Sequence, residues 1–274
     1  MKLDGKVALV TGAAGGLGQA IATAFAREGA RIVACDIDEA RLAVAVRAIE
    51  AAGAECLAVR CDVSASEDVA RMYRAIVARF GTLHVLVNNA AIVPGRPADD
   101  ARRKRHYAYL TTPMPRQSLQ LTSSITDEEW HRYWGVNVHG VFYCTRGALR
   151  LMEPQREGKI VNVASIAGIS AMSAHSPHYS AAKGAVVAFT KAVALDVAGA
   201  NIFVNAIAPG GVLTPDFEAF LQRASEEEKN RLAQLIPLGR LGTLDEYASL
   251  AVYLAADGHY LVGQVISPNG GAVI

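Results

Sequence analysis

Tyr179 and Lys183 stand four residues apart in Tyr179-Ser180-Ala181-Ala182-Lys183. At helical spacing the phenol and the ammonium share one face. A free tyrosine ionises near pH ~10, too high for a proton acceptor at neutral pH. A neighbouring cation favours phenolate and lowers that value, which makes Tyr179 usable as a general acid or base. Tyr and Lys at this spacing also occur on ordinary helices, so the pair takes its meaning from its surroundings. Ser165 closes the apolar run Ile160 to Val163, and its hydroxyl should face the same crevice as Tyr179. Asn137 lies on the helical stretch before that run.

A second stretch offers a place for a bound cofactor. Val7 to Thr11 is a short apolar run ending in Gly12-Ala13-Ala14-Gly15-Gly16-Leu17-Gly18, and a helix-like stretch, Gln19 to Glu28, follows directly. Strand, glycine turn and helix together hold a dinucleotide pyrophosphate. Glycines let the backbone approach the phosphates, and the helix N-terminus offers unpaired N–H groups. Asp36 closes the next apolar run, Arg31 to Cys35. An acidic residue about 20 positions past the glycines can bind ribose hydroxyls and repel a 2′-phosphate. Neither Ala13, Ala14 nor Ile37 brings a positive charge to receive such a phosphate. The reading is therefore NAD. The alternative is that Asp36 only opens the turn Asp36-Ile37-Asp38.

The positioning elements alternate along the whole chain. Helical patterns over Leu42 to Ala52 and Val69 to Phe80 separate strand-like runs at Glu55 to Arg60 and Leu83 to Val87. Such alternation predicts an α/β fold, with a parallel sheet covered by helices on both faces. The first three strands should run outward in the order 3-2-1, with strand four on the far side of strand one. That reversal opens a crevice at the strand ends, where ligands bind in open sheets. Cys61-Asp62-Val63 and Asn88-Asn89-Ala90-Ala91 fall at those ends. They can contact the adenine and hold loops, or serve only as strand-end caps.

Beyond strand four, Pro94 to Ser124 breaks the alternation. It is rich in Pro, Arg, Ser and Thr and carries Arg102-Arg103-Lys104-Arg105. A structureless loop of this length is either functional or disordered. A lid or substrate-recognition arm and a solvated surface insertion are both open, and Tyr107 and Tyr109 favour docking onto something. Thr126-Asp127-Glu128-Glu129 is a capping box opening a helix that should run to about Met152. A helix beginning near Tyr179 and a strand, Ile202 to Ile207, come next. Thr214 to Leu238 reads as mobile and partly helical, with charges at Glu226, Glu227, Glu228 and Lys229. Thr243 to Ala256 is the last helix and Gln264 to Ser267 the last strand.

The 274 residues are 51 % hydrophobic and 19 % charged, enough to bury a sizeable core. No linker or repeat interrupts residues 1–274, so one domain is expected. The net charge of +1 gives no pull toward nucleic acid or anionic membrane. No apolar run is long enough to span a bilayer. Met1 to Lys6 lacks the apolar block of a signal peptide. The four cysteines, Cys35, Cys56, Cys61 and Cys144, form no C-x-x-C pair and suit a reducing compartment. A cytoplasmic location is expected. Among the seven histidines no metal-ligand spacing stands out, so no metal is expected. His175 and His178 either line the substrate pocket or are ordinary loop residues, and His84 is a structural strand histidine.

Together these motifs resemble the classical branch of the short-chain dehydrogenase/reductase family, over essentially the whole chain. The carriers are Thr11 to Gly18, Asn88-Asn89-Ala90, Asn137, Ser165, Tyr179-x-x-x-Lys183 and Asn201 to Gly210. The resemblance implies a single Rossmann domain with a seven-stranded parallel sheet, order 3-2-1-4-5-6-7, and a homotetramer. It implies that Tyr179 exchanges the proton, Lys183 lowers its pKa and binds the nicotinamide ribose, and Ser165 polarises the substrate oxygen. Asn137 would hold a water in a proton relay. Gly12, Gly16, Leu17, Gly18, Asp36, Asp62, Val63, Asn89 and Ala90 would line the adenosine and pyrophosphate. Pro209, Val212 and Thr214 would lie along the nicotinamide and pyrophosphate.

Three departures stand out. Ala91 replaces the usual glycine of N-N-A-G, Ser165 and Tyr179 are one residue further apart than in many members, and the insertion at 94–124 is longer. The activity implied is an NAD-dependent interconversion of a small-molecule secondary alcohol and its ketone. A 3-oxoacyl thioester reductase is the alternative, for which Arg156 matches one basic carrier-docking position while Ala200 stands at a second. Those reductases commonly prefer NADPH, which Asp36 opposes. A nucleotide-sensing protein without catalysis is a third reading.

Overall fold

The structure is a computed structural model that describes residues 1–226, 229–230 and 234–273. Seven parallel strands form one sheet in the order β3-β2-β1-β4-β5-β6-β7. They are β1 Val7–Thr11, β2 Arg31–Asp36, β3 Cys56–Arg60, β4 Val85–Asn88, β5 Gly158–Val163, β6 Ile202–Ile207 and β7 Val265–Ile266. This is the doubly wound order read from the sequence.

Side chains alternate across a strand, and both faces of a parallel sheet must be covered. Ala8, Val10, Ile32, Ala34, Val85, Val87 and Val161 form a core with α1, Gly16–Arg27, and the C-terminal helix, Leu244–Ala255. Val7, Leu9, Val33, Leu86, Ile160 and Val204 point the other way. They pack on α3, Ser66–Phe80, on α6, Val141–Gln155, and on Ala194 and Val197 of α7, Pro177–Val197. The helix α2, Glu39–Ala51, follows β2 and is capped by Asp38, whose carboxylate accepts from the Arg41 N–H at 3.0 Å.

The insertion is not the structureless loop expected. Pro97–Thr111 forms a helix, α4, with proline at its first turn, where a missing N–H costs nothing. The Asp99 carboxylate closes that end by accepting from the Gly95 and Arg96 N–H groups at 3.2 and 3.1 Å. Its buried face is polar, with Asp99 1 % and Arg102 3 % exposed, so no apolar period announces it. The helix expected from Thr126 to about Met152 is also interrupted. A helix α5, Asp127–Trp134, passes through a π-helical turn, Gly135–Gly140, into α6. Between 214 and 238, Pro215–Arg223 forms a helix, α8. Glu226 pairs with Lys229 at 2.6 Å, while Glu227 and Glu228 lie outside the described residues.

Candidate active site

The glycine turn sits between β1 and α1, at the switch point where β1 has β2 on one side and β4 on the other. Gly12 and Gly16 adopt φ of +67° and +52°, a region that side chains resist. A Cβ at Gly12 would lie 2.8 Å from the Ala90 Cα, and one at Gly18 would strike the Gly12 carbonyl oxygen. Asn89 fastens this turn: its amide donates to the Thr11 and Gly12 carbonyls at 3.0 and 3.1 Å. The Thr11 hydroxyl accepts from the Asn89 and Ala90 N–H groups, both at 3.0 Å. Asn89, just past β4, thus holds the turn in shape. The Asp36 carboxylate accepts from Ala14 N–H and Asp38 N–H, each at 3.0 Å, tying β2 to the same turn. Asp62 is spent locally, on the Ser64 N–H and hydroxyl at 2.9 and 2.7 Å. Val63 is buried against Gly140 of the π-helical turn.

On the other side of the crevice, Ser165 follows β5 and caps a short 3-10 turn, its hydroxyl accepting from Ala167 N–H at 3.1 Å. It lies close enough to Tyr179, on the first turns of α7, to pull the phenol pKa down. Burial acts the opposite way and wins, so the phenol is held above its ordinary value. The Lys183 ammonium is 2 % exposed and lies 5.9 Å from the Tyr179 ring centre. It donates to the Val163 carbonyl at 2.7 Å, and burial draws its own pKa down to about 8.

Asn137 is fully buried on the π-helical turn. Its amide grips the backbone of Ile92, accepting from the N–H at 2.8 Å and donating to the carbonyl at 2.9 Å. It therefore fixes the segment leaving β4. Such turns insert an extra residue into a helix and are frequent at functional sites. The segment after β6 completes the crevice. The Pro209 carbonyl accepts from Ile166 N–H at 3.0 Å, next to Ser165. Val212 bridges to Gly242, and the Thr214 methyl would be 3.6 Å from a Cβ at Gly16.

The insertion settles beside this site. On α4, Arg102 donates to Asp99 Oδ1 at 2.8 Å and to Glu129 Oε1 on α5 at 2.9 Å. The Tyr133 hydroxyl lies 3.3 Å from Asp99 Oδ2, and its ring stands edge-on to His178 (4.1 Å) and Tyr179 (6.2 Å). His178 is fully buried, neither ring nitrogen has a hydrogen-bond partner among the described residues, and Nε2 is 3.6 Å from Asp99. Burial lowers its pKa and keeps the ring neutral at neutral pH. His175 packs on His106 and Tyr107 of α4, ring centres 5.9 Å apart, and burial brings it down to about 4. Asp99, Glu129 and His178 offer ligand atoms within 4.8 Å of one another. The Arg102 guanidinium already stands between the two carboxylates, where a cation would go. Through these contacts α4 packs against α5 and the segment leading into α7. Sequence reasoning missed Asp99, Arg102 and Tyr133; the spacing of Asp99 and Arg102, one helical turn, was the available sign.

With this geometry in place, the comparisons are direct. The family description "short chain dehydrogenase" matches residues 6–224, and the chain belongs to that family of oxidoreductases, which act on CH–OH groups with a nicotinamide cofactor. The chain is 36 % identical over 275 residues to "3-oxoacyl-[acyl-carrier-protein] reductase FabG" of Thermotoga maritima, covering 100 % of both. It is 34 % identical to "Galactitol 2-dehydrogenase" of Agrobacterium fabrum, covering 99 % of this chain and 98 % of that one. The solved structure of levodione reductase superposes with a TM-score of 0.83 at 30 % identity, covering 98 % of each chain. The glycine cradle fits a dinucleotide by its own shape, since a side chain at Gly12 or Gly18 would fill or distort it. Among the described residues, no helix is long and apolar enough to cross a membrane.

Proposed function

We propose that this chain is an NAD-dependent oxidoreductase that interconverts a secondary alcohol and its ketone, with Tyr179 as the general acid and base. The carrying observation is convergence. Ser165, Tyr179 and Lys183 gather at the end of β5, next to β4, and Asn89 just past β4 shapes the glycine cradle. Gly12, Gly16, Leu17, Gly18, Asp36, Asp62, Val63, Asn89, Ala90, Pro209, Val212 and Thr214 would hold the cofactor, directly or by shaping its bed. When bound, the nicotinamide supplies or accepts the hydride.

The chain's own residues handle the proton and the oxygen. A phenol held above its ordinary pKa is protonated at neutral pH, the form that donates to a ketone oxygen. For the reverse direction Tyr179 must give up its proton, and the nearby Lys183 ammonium stabilises the phenolate that results. With its pKa near 8, Lys183 keeps most of its charge at neutral pH. The Ser165 hydroxyl donates to the substrate oxygen as negative charge develops there. Asn137 keeps the β4 segment in place beside these groups.

A panel of secondary alcohols with NAD⁺ and NADP⁺ in parallel tests this reading. NADH formation that disappears in Tyr179→Phe supports it; turnover undiminished in that variant removes it. The relative from Thermotoga maritima favours a second reading, a 3-oxoacyl thioester reductase. Arg156 stands at the matching basic position, but its guanidinium donates to the Gly199 carbonyl at 2.8 Å, next to Ala200. Comparing rates on a free ketone and on an acyl-carrier thioester separates the two. A homotetramer, a single domain and a cytoplasmic location belong to the same proposal.

A further inference from the structure

Gly15 has an unexpected neighbour. A Cβ built on it would lie 2.6 Å from Nη2 of Arg41, so a guanidinium covers the turn at that residue. Arg41 comes from the first turn of α2, and three links hold it there. Ala14 N–H and Asp38 N–H both donate to Asp36, and Asp38 in turn accepts from Arg41 N–H, all at 3.0 Å. The start of α2 is therefore fastened to the glycine turn through Asp36. Arg41 itself is exposed, and among the described residues its guanidinium makes no hydrogen bond or ion pair. A free guanidinium poised on a backbone turn is a strong binding site for a phosphate dianion.

The place matters as much as the charge. In this fold the acidic residue at the end of β2 meets the adenosine ribose, and a nearby arginine is what accommodates a 2′-phosphate. Asp36 has one backbone N–H on each carboxylate oxygen, and Arg41 brings a full positive charge to the same corner. The other basic residue at this corner, Arg60, pairs in register with Asp36 but acts on Asp68.

We propose that Arg41 is a specificity-determining residue that receives the 2′-phosphate of NADP(H), so that the chain takes NADP(H) as well as NAD(H). This rests on the dinucleotide-binding reading above and deepens it. The remedy for repulsion by Asp36 comes from α2, five residues on in sequence and beside the turn in space.

The test uses 5′-AMP and adenosine 2′,5′-bisphosphate, which differ only in the 2′-phosphate, titrated calorimetrically into the full chain. Expected is wild-type binding of the bisphosphate within about threefold of 5′-AMP, or tighter. Arg41→Ala should weaken the bisphosphate about tenfold or more and leave 5′-AMP within about threefold. Arg41→Lys should keep part of the bisphosphate affinity, and Arg60→Ala should leave the ratio unchanged. Because Arg41 is exposed, its loss should not disturb folding, which circular dichroism checks. Wild-type discrimination of tenfold or more against the bisphosphate overturns the proposal, and so does equal weakening of both ligands in Arg41→Ala. If the wild type binds neither nucleotide, the dinucleotide reading has failed as well, an outcome distinct from loss of the Arg41 role alone.

Discussion

Replacing Arg102 with methionine probes what holds the insertion to the site. The substitution keeps an unbranched side chain on α4 but removes the cation between Asp99 and Glu129. Asp99 is 1 % exposed and would keep the N–H groups of Gly95 and Arg96, the Tyr133 hydroxyl at 3.3 Å and the His178 ring at 3.6 Å. Breaking a buried ion pair on one side costs about 3–5 kcal/mol, because a charge is left unmatched. Unfolding entropy of about 2 cal/mol/K per residue makes each kcal/mol worth roughly 2 °C for a chain of this size, a fall in Tm of about 5–9 °C.

The pH dependence gives a sharper test than the size of the fall. In the wild type, burial pushes the Asp99 carboxyl up, but Arg102 and two backbone N–H groups together bring it below its ordinary value. Hydrogen bonding to Arg102 likewise lowers Glu129. Depressed carboxyl values contribute stability above the unfolded-state pKa, and it is lost as pH falls through the folded one. The wild-type contribution from these two carboxyls is therefore flat from pH ~8 to ~5 and declines below, while the lowered His178 subtracts stability as the pH falls through the ordinary histidine range. Without Arg102, burial dominates Asp99 and raises it, so protonation on acidification relieves the buried charge. His178, now lowered by burial and by Arg102, would titrate upward beside Asp99, in the same sense. Tyr133, pushed up by burial, faces the cluster and does not change charge in this range. The stability gap between variant and wild type should narrow from pH 8 to pH 5 in parallel thermal melts. A fall under about 2 °C at pH 7, or a gap that widens on acidification, refutes the reasoning.

Three further outcomes follow from the site. Tyr179→Phe should lower kcat by about 10²–10⁴-fold while fluorescence titration shows NADH binding within about threefold of wild type. Gly18→Ala sets a methyl against the Gly12 carbonyl and the Asn89 amide; dinucleotide affinity should fall at least about tenfold by calorimetry. Burial holds Lys183 near 8, against 10.5 for a free lysine, so the unfolded chain binds more protons between these values. Stability from this group should rise as pH climbs from about 8 to about 10, and thermal melts of Lys183→Met should lack that rise.

The parts legible in the sequence are those where one residue type has one physical use. The strands are readable because a short apolar run between helical segments has little to form but a strand buried on both faces. The turn at Gly12, Gly16 and Gly18 is readable because Gly12 and Gly18 leave no room for a side chain and Gly16 turns at positive φ. The helix over Pro97–Thr111 is not. Its buried positions are Asp99 and Arg102, residue types that signal solvent until their partners Glu129, Tyr133 and His178 are known. Arg41 escapes for a related reason, since no spacing rule relates the first turn of α2 to Gly15; packing alone brings them together. The direction of the Tyr179 shift is hidden because a neighbouring cation shows in sequence as i and i+4, whereas burial sums contributions from every surrounding element. A charge read alone along the chain is ambiguous in sign as well as size. The same guanidinium chemistry secures a buried helix at Arg102 and, at Arg41, stands open beside the glycine turn. What separates the two is whether a carboxylate reaches it first.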